Sequence, residues 1–476
     1  MIQKHGINPI LAAVGIAILC IGLLYAFTIF GFDWRWLIVL GIVILVFGFV
    51  QIVEEKELFL MGILVFLIPF KVGFIYTWTI SNDLIFAFDC FLFLLIGLWF
   101  FRTHGFRTGN VYLGKASIPA FIHVFWCLLS ISMAVALRPS IFANFMLIKA
   151  VLLYFYIINN CTTKRHLIVI INMLMISCAI QGALGILQKY LGHPLGLEFL
   201  GERQVSYGYM LSRVTGTLTY PNQYGAFMIL LLPMSMSLYL YAKERIKKLF
   251  YAAVTGIGLL GLFFSLSRSA WIAMIGAVIA IVILLSKRRE LGPRLFFAIL
   301  AIMSVIVFIG IIFGDYIALR FGTGEAGEYR FLMIRIAIPI ILSHPIFGVG
   351  LFNYEYYSFP IFRFWHPVHN EYLRLAAEIG LPGLFFFLWF VFIVVRDAYS
   401  GLQFKDRYLN AVALGLIGSY IAFGIVVTFG PMYQHYPQKT VFWLLAGLAV
   451  SLKRIRRFEL IKLQRRKALY RVQNSA

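Results

Sequence analysis

The residues best equipped for chemistry lie in one stretch, 344–383, where HPIFGVGLFNYEYYSFPIFRFWHPVHNEYLRLAAEIGLPG gathers glycine, proline, histidine, asparagine and charge inside a chain that is otherwise nearly continuous hydrocarbon. Pro367 and Val368 precede HNEYLRLAAEIG, which predicts a helix starting at about His369 and running into the next apolar span. Asn370, Arg374 and Glu378 fall at i, i+4 and i+8, so they share one face and can pair along it. His369 then stands near the helix N-terminus, where the dipole favours a neutral imidazole and attracts phosphate. A neutral imidazole can take a proton from a hydroxyl. The blander alternative is a structural hydrogen-bonder at a membrane interface, and His366 stands three residues earlier as a competing imidazole.

Anion chemistry is suggested by three arginines. Arg213 sits in SRVTGTLTYPNQYGAF, where Pro221 and Asn222 mark a helix start and Asn222 is expected to cap it. Arg268 sits in FSLSRSAW, a hairpin too short to carry its own carboxylate, although snorkelling to lipid headgroups would also account for it. Arg330 lies in GEYRFLMIRIAIPIILSHP, whose apolar residues at 331, 334, 338 and 341 predict an amphipathic interfacial helix; Glu325 and Glu328 could neutralise Arg330 and Arg335. Guanidinium groups grip phosphate oxygens in bidentate fashion, so this set suits a pyrophosphate on a lipid. Arg213, Arg268 and Arg330, with Arg335, Asn222, His344 and Asn370, are the candidate substrate-binding residues.

The elements that must hold these residues are membrane helices. With 62% hydrophobic and 13% charged residues and a mean hydropathy of +0.91, the chain reads as an all-α, polytopic integral membrane protein in a single domain, 1–476. A span needs about 20 apolar residues. Candidates lie near 9–31, 35–53, 57–77, 82–101, 116–136, 140–160, 166–189, 221–241, 249–266, 269–286, 295–314, 377–395, 409–429 and 437–452, about 14 in all (12–14) by the same criterion. The first apolar run lacks a convincing cleavage site and reads as a retained helix. The net charge of +22 falls in short clusters between apolar runs, so topology explains it and no nucleic-acid partner is expected.

Basic clusters at 102–115, 164–165, 243–248, 287–294 and 396–407 occupy every second loop, which makes those loops cytoplasmic. The tail 453–476 belongs with them, as a basic cytoplasmic helix in contact with solvent or headgroups. Both termini are then inside. The loop 190–220, the hinge at Arg268, the long loop 315–376 with its short interfacial helices, and the hinge 430–436 are then extracytoplasmic. Asp89 and Lys149 fall inside apolar spans, where ionisable groups normally pair or line a cavity, and they are expected to pair with each other. The five cysteines show neither disulfide nor metal-ligand spacing, so no metal site is expected. The aromatic cluster from Tyr354 to Trp365 suits interface anchoring, or stacking on sugar rings.

RVTGTLTYPNQYGAFMILLLP, SLSRSAW, EYRFLMIR, HPIFGVGLFNY and HNEYLRLAAEIGLPGL, in that order over roughly residues 181–387, resemble the O-antigen ligase and Wzy-type polysaccharide polymerase superfamily. The resemblance implies a glycosyltransferase of the cytoplasmic (inner) membrane, with its active site extracytoplasmic, that takes glycan from an undecaprenyl-pyrophosphate carrier without metal, nucleotide sugar or other cofactor. It implies that His369 is the family's essential histidine, that Arg213 and Arg268 are its essential outward arginines, and that His344 and Pro345, with Gly348 and Gly350, form its HP-x-x-G-x-G turn. Glycine there would allow backbone to approach ligand or a neighbouring helix. Polymerisation of carrier-linked repeat units is the favoured activity. The alternatives are a ligase acting on a lipid or protein acceptor, a flippase or transporter, and a scaffold for other polysaccharide-assembly proteins. Partners are the lipid-linked donor, a glycan or lipid acceptor, and membrane lipid.

Overall fold

The computed structural model describes residues 55–71, 87–105, 111–203, 213–287, 325–363, 365, 367–403 and 406–473. The spans expected at 9–31, 35–53 and 295–314, and His366, lie outside the described residues. The chain divides into two compact units, 1–61 and 62–476; of the first only 55–61 are described, which include the first six residues of the helix Lys56–Phe66, and every later element belongs to the second.

Every regular element among the described residues is helical. The α-helices are α1 (Lys56–Phe66), α2 (Ala87–Phe100), α3 (Ser117–Ser130), α4 (Leu137–Asn160), α5 (Lys164–Leu191), α6 (Pro221–Tyr241), α7 (Arg245–Phe264), α8 (Arg268–Lys287), α9 (Glu325–Ser343), α10 (Tyr354–Phe362), α11 (Glu371–Gly401), α12 (Arg407–Val426) and α13 (Tyr436–Gln473). Among the described residues, seven of these, α4 to α8 with α11 and α12, are long and apolar enough to cross a membrane. The expected span 57–77 is cut short. Helix α1 ends at Phe66, Pro69 offers its carbonyl to Thr217, and the Lys71 N–H bonds to the Leu200 carbonyl. The expected span 437–452 is instead the first part of a helix that continues to Gln473.

Helix α6 is apolar all round, and its residues from Gln223 to Leu238 are all buried, as a helix enclosed by neighbours should be. Gly225 allows that enclosure, because a Cβ there would come within 2.8 Å of Ala270 on α8, the small-residue approach that helices use in lipid.

Contacts between loops sort them into two ends. At one end Lys164 pairs with Asp406, Lys453 with Asp397 at 2.8 Å, and the Tyr112 N–H with Asn159. Arg454 donates to the Ile158 and Asn159 carbonyls at the end of α4, and Arg456 to the Ser400 carbonyl at the end of α11. These cations cap the negative ends of two helix dipoles. The loops before α4, between α7 and α8, before α11 and before α13 collect at the other end, through Ala136–Asn353, Val214–Phe264 and Glu371–Val427 bonds.

The element that positions the candidate site is a break in α11. Gly380 adopts φ 71°, ψ 175°, and Pro382, two residues on, has no N–H for the Glu378 carbonyl. Carbonyls orphaned in an apolar interior must find other donors. The loop after α9 supplies them: Val349 N–H bonds Ala377 O at 2.9 Å, Gly350 N–H bonds Glu378 O at 2.8 Å, and Leu381 N–H returns to Pro345 O at 2.8 Å. Trp126 of α3 donates to Ile379 O at 2.9 Å and stacks on Phe347. The glycines of the HP-x-x-G-x-G turn therefore meet a neighbouring helix. A Cβ on Gly348 would lie 2.5 Å from Glu378 O, and one on Gly380 would run into the Ile346 carbonyl.

Gly348→Ala should therefore destabilise the protein by about 2–5 kcal/mol, adding a backbone collision to the strain of φ 67°. Gly192 has φ 74° with open space around its Cβ, so Gly192→Ala should cost only about 1 kcal/mol. Thermal unfolding in detergent compares the two, and equal losses would contradict the docking argument.

Candidate active site

Arg213 is held at the start of α6 and the turn before α8. Its Nε donates to the Ser265 carbonyl at 2.9 Å and its Nη2 to Asn222 Oδ1 at 2.8 Å. Ser265 and Leu266 reverse the chain between α7 and α8, Leu266 with φ 50°, and Arg268 opens α8 immediately afterwards. Arg213, Asn222 and Arg268 are thus brought to one hinge. Asn222 does not cap α6 as expected. Tyr220 occupies that position and Pro221 fills the first helical turn, so the Asn222 side chain is turned to Arg213 instead.

Helix α11 begins at Glu371, two residues later than expected, because Asn370 is its cap: Oδ1 accepts the Leu373 N–H at 3.1 Å. Asn370 therefore bonds to its own helix instead of joining Arg374 and Glu378 on a shared face. His369 directly precedes this cap and is half-buried. The expected Arg374–Glu378 pair forms at 3.0 Å, and Arg374 also grips both oxygens of Glu355 at 3.2 Å. Its guanidinium lies over Phe352. Arg374 is buried and fully engaged, so its role is to lock α10 to α11 below His369.

The hinge 430–435 ties the two halves together. Gln223, next to Asn222, donates to His435 Nδ1 at 3.0 Å. Gln434 donates to Glu378 at 3.2 Å, the Tyr433 N–H to Glu371 at 3.1 Å, and Gln438 to the Gln223 carbonyl at 2.6 Å. Burial, reinforced by the charges of Lys71, Arg374 and Lys439, pushes the His435 imidazole down to about 3. It is neutral at physiological pH, so its Nδ1 can accept the amide proton. Beside the hinge a small cavity is lined by His123, Cys127, Leu375, Tyr433, Gln434 and Lys439, with the Lys439 ammonium over the Tyr433 ring at 5.6 Å.

The other expected residues have local surroundings. His344 ends α9, bonds Ser343 at 2.9 Å and packs edge-on against Tyr357. The buried stripe of α9 is Met333, Ile336, Ala337 and Ile340; Phe331 and Ile338 of the expected apolar face are exposed. Arg335 is exposed with them, because the Gly348 turn and α11 claim the opposite side. The side chain of Arg330 lies outside the described part of α9. Asp89 and Lys149 form the expected buried pair at 2.6 Å.

Glu355, Glu371, Gln223, His435, Lys71 and Lys439 were passed over in the sequence. Lys439 and Lys71 lie inside expected spans, where any ionisable residue asks for a reason. The other four carry no local signal.

Residues 251–388 match the Wzy_C family model, described as O-Antigen ligase. The match bears out the resemblance to the O-antigen ligase and Wzy superfamily. It takes in Arg268, the 344–350 turn and His369, and leaves Arg213, Asn222 and the 430–435 hinge outside. No curated protein matches the chain.

The histidine at 435 makes stability depend on pH. An unfolded chain protonates its histidine below 6.5, whereas the folded one resists down to about 3. Its contribution is complete above 6.5 and declines as pH falls through that window. Melting temperatures at about pH 7.5 and about pH 5 should differ less in His435→Gln than in wild type; an unchanged difference would mean His435 is not the buried neutral group described.

Proposed function

We propose that this chain, whose residues 251–388 match the O-antigen ligase family model, belongs to the O-antigen ligase and Wzy superfamily and is a membrane glycosyltransferase that polymerises oligosaccharide units carried on undecaprenyl pyrophosphate, at the outer face of the cytoplasmic membrane. The observation that carries the reading is the joining of two distant sequence regions. The Arg213–Asn222–Arg268 hinge connects through Gln223 and His435, and through Gln434 and Glu378, to the helix that His369 precedes. The alternation of basic loops supports the outward orientation.

In the proposed reaction Arg213 and Arg268 hold the donor's pyrophosphate. An acceptor hydroxyl oxygen attacks the anomeric carbon from the opposite side, the bond from that carbon to the pyrophosphate oxygen breaks, and the configuration inverts. The hydroxyl proton passes to the His369 imidazole. The pyrophosphate leaves with the bonding electron pair, and the guanidinium groups stabilise its growing charge, the electrostatic contribution that is usually largest. Arg330 and Arg335 assist at the acceptor or phosphate side. A ligase reading is favoured by the matched model's own description, and it differs only in the acceptor.

His369→Ala should lose about 100-fold or more of transfer while inserting normally into membranes. Arg213→Lys and Arg268→Lys should each lose about 10- to 100-fold, because lysine cannot make the bidentate grip. Transfer from a purified carrier-linked donor in nanodiscs measures all three. A ladder of products identifies the polymerase, a single addition to lipid or protein identifies the ligase, and full yield from His369→Ala would sink the mechanism.

A further inference from the structure

Lys439 stands in the first turn of α13 and is only 6% exposed. Its ammonium lies over the Tyr433 ring at 5.6 Å and has no hydrogen-bond or ion-pair partner among the described residues. Burying an ammonium in an apolar bundle is costly, and a side chain that merely filled this position would do better as leucine. The carboxylates whose charge reaches it are Glu371 and Glu378. Neither is bonded to it: Glu371 Oε2 takes the Tyr433 N–H at 3.1 Å, while Glu378 takes Arg374 on one oxygen and Gln434 on the other.

Beside the ammonium is a cavity of about 20 Å³, room for one water molecule. Gln434 lines the same cavity. Its Nε2 donates to Glu378 at 3.2 Å, and its Oε1 has no donor among the described residues. An amide set between a carboxylate and an ammonium can face only one way, with its NH2 toward the carboxylate and its oxygen toward the cation. A donor without an acceptor and an acceptor without a donor thus share one pocket. A water between them satisfies both, and has the two polar partners that such a water needs.

We infer that Lys439 is a positioning residue for the proposed transfer: through a water in this cavity it fixes the Gln434 amide, which holds Glu378 and with it the part of α11 that follows His369. The inference rests on that proposed activity, and it adds a residue from outside both the matched segment and the resembling motifs. The effect on transfer is indirect, through a residue that bonds the hinge 430–435 to α11.

Transfer from the carrier-linked donor to the full protein's acceptor in nanodiscs, with kcat and KM read separately, tests it. Lys439→Met and Gln434→Met should each lower kcat about 10-fold, the scale expected when a change away from the chemistry shifts a reacting group by a fraction of an ångström. The KM for donor should stay within about 2-fold, because no donor contact is removed. The double variant should be no worse than either single, since both residues act through one link, whereas independent effects would multiply to about 100-fold. Lys439→Arg keeps the charge and can extend into the cavity, so it should retain most of the transfer. A lysine with a structural role alone would lower melting temperature and yield while leaving kcat per folded molecule unchanged, and that result overturns the inference. So do multiplying losses in the double variant, or a Lys439→Arg as poor as Lys439→Met. If Lys439→Met does not fold, Gln434→Met decides, and a normal kcat there overturns the inference as well. Melting temperatures of wild type, both singles and the double read the link without glycan. Losses that fail to add, in a wild-type background that transfers nothing, would remove the proposed activity and leave the link standing. Additive losses in an active protein would remove the link alone.

Discussion

The arrangement depends on how the broken turn of α11 at Gly380 is satisfied. An interrupted helix leaves carbonyls that an apolar environment cannot hydrate, and here the 345–350 turn and Trp126 take them up. The cost of the break becomes the means of docking: the chain between α9 and α10 can sit in one register only, because Gly348 and Gly380 approach too closely for any side chain. That register fixes the start of α11, and with it His369.

The buried ionic network completes this placement. Arg374 joins Glu355 on α10 to Glu378 on α11, and Gln434 extends the network to the hinge before α13. Such networks add little net stability relative to apolar packing, but losing one partner is severe, since a buried charge is left uncompensated. Their use is geometric. The first two turns of α11 are held from three directions while His369, one residue before the cap, stays at the edge of the packed region.

Cations serve different ends in different places. Arg454 and Arg456 cap helix carbonyls at one end of the molecule, so residues first read as topogenic also hold α13 to α4 and α11. At the other end Arg213 is tethered to a hinge carbonyl and an asparagine, an arrangement that orients a guanidinium. Identical residue types are separated in role by what surrounds them, which composition does not reveal.

Much was legible in the sequence. Hydropathy runs gave the helices, with α6 matching its expected limits at 221 and 241, because solvation by lipid acts on every residue locally and leaves a continuous signal. The Arg374–Glu378 and Asp89–Lys149 pairs were also visible, the first from helical spacing and the second from the cost of isolated charge in lipid. The roles of Asn222 and Asn370 were not, since an amide turns to whichever donor or acceptor the tertiary structure brings nearest. Nor was the bridge through Gln223, His435 and Gln434, whose partners are separated by 212 residues in one case and 56 in the other. The sequence by itself determined which residues could do chemistry and the helices that carry them. Only the tertiary structure decided which of them meet, because contacts between distant segments depend on packing and on the satisfaction of buried polar groups, and neither leaves a periodic mark along the chain.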